Sequence, residues 1–214
     1  MEEPGLPNPS AARYGRRVEF RLLGPVEVVD GSGPIPLGGP KQRLVLTHLL
    51  LHANQVVAAD SLIDAIWPDE PPPGARNTLQ TYVSHLRKTI GNDRIEGRPP
   101  GYILGAQPGE IDVASFEIAL REARRLAGDP ERYAESLHEA LELWRGPPLA
   151  DLALEPSLRA EAARLEDLRL QALEERIIAE MELGRHQDLT GELETLVSAH
   201  PLRERLWAQL MLAL

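Results

Sequence analysis

Ala75-Arg-Asn-Thr-Leu-Gln-Thr-Tyr-Val-Ser-His-Leu-Arg-Lys-Thr-Ile90 is the stretch on which the fold turns. At about 100° per residue, Val83, Leu86 and Ile90 fall within about 40° of Leu79 and form one apolar stripe. Asn77, Thr81, Ser84 and Lys88 fall opposite, flanked by Gln80, His85 and Arg87. This polar face carries no acid, whereas an ordinary solvated face mixes in Glu or Asp. Asn and Gln pair with adenine edges, Arg and Lys with guanine, and Thr meets a thymine methyl. The pattern predicts a helix that reads a DNA groove. Pro71-Pro-Pro-Gly74 precedes it as a breaker, and Gly91-Asn92 closes it.

On the C-terminal side, Arg94-Ile-Glu, Gly97-Arg-Pro-Pro-Gly and Tyr102-Ile-Leu predict a hairpin with a Pro/Gly tip. Arg94 and Arg98 on that hairpin are placed to reach backbone phosphate or a minor groove. Upstream, two helices are expected, over Lys41–Ala53 and over Asp60–Trp67, the second ended by Pro68. Lys41 and Arg43 open the first of these, where a phosphate could also be received. Trp67 reads as a core cap, and Tyr82 as the edge of the buried stripe. Before them, Val18-Glu-Phe-Arg-Leu-Leu, Val26-Glu-Val-Val and Ile35-Pro-Leu read as short strands separated by Gly24-Pro25 and Asp30-Gly-Ser-Gly. A β platform, three helices and a hairpin make a winged helix-turn-helix over 18–108. Residues 1–17 are Pro/Gly-rich and lack periodicity, which predicts a disordered tail.

The second half is of another kind. From Asp112, expected as an N-cap, helical periodicity runs through 113–127, 131–145, 156–183, 187–199 and 202–214. Gly184 and Pro201 match the turn glycine and terminal proline of a tetratricopeptide repeat, and Trp207 and Leu210 then fall on its Trp-x-x-Leu positions. The fold class expected is therefore an α+β N-terminal winged helix-turn-helix followed by an all-α, tetratricopeptide-like domain over 111–214.

Charge separates the halves as well. Residues 1–110 hold 11 Lys/Arg and 12 Asp/Glu, whereas 111–214 hold 12 and 21, within a total net charge of −10. Within 74–101, Arg76, Arg87, Lys88, Arg94 and Arg98 face only Asp93 and Glu96. A basic patch on a near-neutral half, joined to an acidic half, implies two jobs.

Several chemistries are excluded. The absence of cysteine removes disulfides, thiolate metal sites and a cysteine nucleophile. His48 and His52 are spaced i, i+4 but lack the intervening Glu of a zincin. Gly38-Gly-Pro-Lys lacks the spacing of a phosphate loop, and Gly31-Ser-Gly is a turn and not a nucleophile elbow. No enzyme activity, cofactor or metal site is expected. No apolar run is long enough for a membrane span, and Arg16-Arg17 lacks the apolar region of an export signal, so a cytoplasmic protein is expected.

Leu22-Leu-Gly-Pro-Val, Gly39-Pro-Lys-Gln-Arg, Leu62-Ile-Asp-Ala-Ile-Trp, the Asn77–Arg87 run and Arg98-Pro-Pro-Gly-Tyr together carry a family resemblance. Asp112-Val-Ala-Ser-Phe, Ala140-Leu-Glu-Leu-Trp-Arg-Gly, Leu183-Gly-Arg-His and His200-Pro-Leu-Arg-Glu-Arg-Leu-Trp extend it through the second half. The sequence resembles the Streptomyces antibiotic regulatory protein (SARP) family of transcription activators. That resemblance implies an OmpR-type winged helix and a bacterial transcriptional activation domain. It further implies side-by-side binding, as a homodimer, to direct repeats near the promoter −35 region. RNA polymerase holoenzyme would be recruited through sigma region 4 and neighbouring subunits, for secondary-metabolite (antibiotic) genes. The third helix would enter the major groove, with Arg98 at the wing position that contacts DNA; His85 stands where many relatives carry arginine. Two alternatives stand beside this reading: an N-terminal fragment of a larger signal-controlled regulator, and a helical-repeat protein-interaction adaptor. The breadth of apolar surface on 202–214 predicts that the natural chain continues past Leu214.

Overall fold

The structure is a computed structural model and describes residues 17–214; the tail expected over 1–17 otherwise lies outside the described residues. Two compact units are formed, each from two stretches of chain. One holds the described residues up to Ser115 together with Gly146–Ala162, and the other holds Phe116–Arg145 with Ala163–Leu214.

The first unit opens with a three-stranded antiparallel sheet, β1 (Val18–Arg21), β2 (Glu27–Asp30) and β3 (Gly33–Pro34). Phe20 pairs with Val28, and both are fully buried, so alternation along these strands sets the register. The third strand falls earlier than Ile35-Pro-Leu, because the two prolines limit what that stretch can donate; Ile35 N still donates to Val28 O at 2.8 Å. Helices α1 (Pro40–Leu51), α2 (Ala59–Ile66) and α3 (Ala75–Ile90) follow, α3 with the expected bounds. Between α1 and α2 lies β4 (Val56–Ala58), which the sequence reading does not contain, since three residues are too few to show alternation. It pairs with β6 (Gly101–Leu104), which also pairs with β5 (Ile95–Arg98), giving a second antiparallel sheet of order β4-β6-β5. Gly101 is required there: a Cβ on it would stand 1.9 Å from Val57 O.

The start of helix α4 (Asp112–Arg124) also belongs to the first unit. The Asp112 carboxylate accepts from the N–H groups of Leu22, Leu23 and Val113 at 2.8–2.9 Å, so it ties the β1–β2 connection to the first turn of α4. Asp112 stands inside the helix and not at the expected cap: Ile111 O accepts the first helical bond, from Ser115 N at 3.0 Å.

The second unit is helical: the rest of α4, then α5 (Pro130–Leu141), α6 (Arg159–Glu182, of which this unit takes residues from Ala163), α7 (His186–Ala199) and α8 (Glu204–Ala213). Asp129 caps α5 by accepting from Arg132 N, and Pro130 occupies the first turn. Helix α5 stops earlier than the expected 145, its end passing into tight turns in which Leu143 N donates to Ala140 O and Trp144 N to Leu141 O. Helix α6 starts later than 156, because the 3-10 turn Pro156–Leu158 takes up its expected start, and a second such turn, Ala150–Leu152, lies before it. Ile177, Leu189, Leu193, Val197, Leu206, Leu210 and Ala213 form one buried cluster from α6, α7 and α8. Phe116 and Trp144 meet edge to face at 5.3 Å. Gly184, at φ +79°, turns the chain from α6 into α7, as the repeat reading expects.

Candidate nucleic-acid interface

Helix α3 is built so that one face is fixed and the other is free. Ala75, Leu79, Val83, Leu86 and Ile90 are buried. Gly91, at φ +118°, closes the helix by donating to Arg87 O at 3.0 Å. The opposite face keeps Asn77, Gln80, Thr81, Ser84, His85 and Lys88 exposed. Thr81 Oγ1 donates to Asn77 O at 3.0 Å, so its hydroxyl proton is held within the helix. Among the described residues, Lys88 and Arg98 make no ion pair, and both are exposed.

Arg87 behaves differently from its neighbours. It is half-buried, and its Nε donates to Ile95 O at 2.7 Å, so it pins the start of β5 to α3. It therefore positions the wing beside the helix. Arg98 ends β5 opposite Gly101, and the hairpin tip carries a cis Pro99–Pro100 bond. A concavity of about 440 Å³ joins the two elements, lined by Arg76, Leu79 and Gln80 from α3 and by Gly97–Tyr102 from the wing.

Arg94 does not belong to this surface. Its side chain is 1 % exposed and forms a forked pair with Glu110, at 2.5 Å and 2.8 Å. Glu110 also accepts from Gln107 N at 2.7 Å. The expectation that Arg94 reaches phosphate is thus corrected: bidentate pairing draws the guanidinium inside, where it anchors the segment leading into α4. Arg43 is likewise withdrawn, donating to Val26 O at 2.6 Å and pairing with Asp151 at 3.0 Å. Lys41 stands 4.7 Å above the Trp67 ring, which stacks on Tyr82 with centroids 6.4 Å apart.

Arg76 is the residue that the helical projection passed over. It lines the concavity one turn before Gln80 and pairs with Asp60 at 2.5 Å on an exposed edge. Its i, i+4 relation to Gln80 was the available signal. Among the described residues, no group of three or more His, Asp and Glu side chains is placed to hold a metal ion, and no helix is long and apolar enough to cross a membrane.

Comparison with known proteins yields two family models. One, described as "Transcriptional regulatory protein, C terminal", matches residues 34–104, and the other, "Bacterial transcriptional activator domain", matches 111–214. The regulatory protein DnrI of Streptomyces peucetius is 36% identical over 211 residues, covering 92% of this chain and 77% of that protein. The regulatory protein AfsR of Streptomyces griseus is 37% identical over 213 residues, 99% of this chain but 22% of its own length. A solved structure of Mycobacterium tuberculosis EmbR, in complex with a low affinity phosphopeptide, superposes with a TM-score of 0.88 at 36% identity. It covers 92% of this chain and 54% of that one. The chain thus spans about a fifth of AfsR and about half of EmbR.

Proposed function

For a chain that belongs to the Streptomyces antibiotic regulatory protein family of DNA-binding transcription activators, we propose that the exposed face of α3 reads base edges in the major groove. Asn77, Gln80, Thr81, Ser84 and His85 face the bases, and Lys88 takes a phosphate. Arg98 reaches backbone or minor groove from the wing, with Arg87 holding that wing in register. The observation that carries this reading is the company these groups keep. Six exposed polar side chains line the reading face of α3 without an acid among them, beside an Arg98 that has no carboxylate partner among the described residues.

The protein then works in the cytoplasm as an activator. It binds direct repeats near the promoter −35 region as a side-by-side pair and recruits RNA polymerase holoenzyme, sigma region 4 included. The regulated genes are those of secondary metabolism, antibiotic synthesis among them. A direct repeat has no two-fold axis, so the contact between protomers is head-to-tail and DNA supplies the closure that the interface lacks. Sedimentation on duplexes bearing one and two repeats tests this. One protomer on the first and two on the second is the expected result; one protomer on both would refute side-by-side binding. A salt titration of the same complexes should show affinity falling steeply with ionic strength, and a flat response would remove the phosphate contacts from the reading.

A further inference from the structure

Residues Gly146–Ala162 follow α5 in sequence and include the first turn of α6, yet they pack with the first unit. Leu149 N donates to Leu22 O at 3.0 Å, and Ala150 N to Gly24 O at 3.2 Å. Asp151 Oδ1 accepts from Val26 N at 2.6 Å, while its other oxygen stands 3.0 Å from Arg43 of α1. Further on, Ser157 Oγ meets His48 Nε2 of α1 at 3.0 Å and donates to Ala65 O of α2 at 3.4 Å. Leu149, Leu152 and Leu158 are buried, at 0, 3 and 1 % exposure. Leu149 is also held at φ +54°, a left-handed conformation that a leucine keeps only where its surroundings fix it. These contacts reach the β1–β2 turn, α1 and α2.

We propose that 146–162 is a strap built into the DNA-binding unit, so that this unit opens and closes together with the strap. DNA affinity at α3 then depends on residues that the chain supplies from within the stretch matched as the activator domain. The second clause rests on the DNA-binding reading above. The physical reason lies in the groups that the strap satisfies. Without it, Val26 N, Leu22 O and Gly24 O lose their partners and Arg43 loses its carboxylate, while three leucines give up their burial. The elements exposed in this way include α1, on which α3 packs. Because linkage is reciprocal, DNA bound at α3 stabilises the strap by the same free energy that the strap contributes to binding.

Hydrogen exchange on the whole chain tests the proposal, free and with a duplex that the protein itself selects from a random pool. In the free chain, the Leu149 and Ala150 amides should exchange at the slow rate of the buried turns of α1 and α3, and DNA should slow all three together. Asp151→Ala should speed exchange in the strap, α1 and α3 by a common factor of about ten or more, whereas Leu154→Ala, on the exposed side of the strap, should leave the pattern unchanged. Strap amides that exchange as fast as exposed loops would overturn the proposal. So would an Asp151→Ala effect confined to the strap. A chain that selects no duplex would fail the DNA-binding reading and the affinity clause with it, while the common rate in the free chain would still decide whether the strap belongs to the unit.

Discussion

The cations that link the helical unit and those on the reading surface of the first unit stand in opposite company. In the helical unit several are matched with carboxylates: Arg124 with Glu175, Arg164 with Glu117, Arg176 with Glu180 and Glu192, and Arg203 with Glu174 and Asp167. Apart from Arg176–Glu180, one turn apart within α6, these pairs run between helices or between a helix and the turn before α8, so their work is internal. On the reading face of α3 and the wing tip, Lys88 and Arg98 have no such match among the described residues. The cation is thus committed where the fold needs a cross-link and left open where an external anion is to be met. Net charge alone would have hidden this, since the chain as a whole is at −10.

Arg94 tests the contrast most severely, because it is a committed cation inside the DNA-binding unit. Removing it leaves Glu110 buried beside Gln107 N without its counter-charge. Arg94→Ala should therefore cost about 3–5 kcal/mol of stability, read as a shift in the urea midpoint. The fraction that remains folded should keep its base preference. Unchanged stability with an altered preference would return Arg94 to the surface role that the sequence suggested. Next in size come Asn77→Ala and Thr81→Ala. Each should leave folding intact and relax discrimination at particular bases, by about 1–3 kcal/mol where a bidentate pair is lost. A uniform loss across all sequences would mean that these residues meet backbone.

Lys88→Ala and Arg98→Ala have a smaller signature of a different kind. Each should weaken binding evenly across sequences and lower the salt slope by about 1. Arg87→Ala should do more to the wing than to the slope, because it frees Ile95 O from α3. Exchange at the β5 amides separates the two effects. If Arg87→Ala alters the slope alone, its hold on the wing is of no consequence.

The order of elements and the whole of α3 were legible because the signals were long and redundant: five buried apolar positions at helical spacing, a breaker before them and glycine after. The short pieces were not. Val56–Ala58 is three residues without alternation, and its strand character comes from Tyr102 and its neighbours across the sheet. Exposure of the site was legible to the extent that it followed from helix phase, so Asn77 and Lys88 came out where expected. Arg94 did not, because its place depends on Glu110, sixteen residues away, and nothing local marks that pairing. The strap was invisible for the same reason: Leu149 and Asp151 find their partners over a hundred residues earlier, in β1–β2 and α1.

The helical unit offers the mildest test of the contrast, through pH. Glu175 accepts from Tyr133 Oη at 2.6 Å and from Arg124 at 2.7 Å. Burial opposes its ionised form, but these two donors outweigh burial and hold the carboxyl below its ordinary value, while burial and the same hydrogen bond push the Tyr133 phenol well above its usual range. A carboxyl whose folded value is depressed contributes stability that is fully present above the unfolded value, near 4.5, and is lost as pH falls through the lower folded value. Tyr133→Phe removes one donor, so the Glu175 value should rise and the acid loss should begin at a higher pH. At neutral pH the variant should be modestly less stable than the parent, since the pair is partly open to solvent. The gap between the two should close as Glu175 takes up its proton, which urea midpoints measured from neutral pH down through the carboxylate range would show. A gap that stays constant with pH would mean that the tyrosine acts through packing alone, and the carboxylate would then owe its depressed value to Arg124.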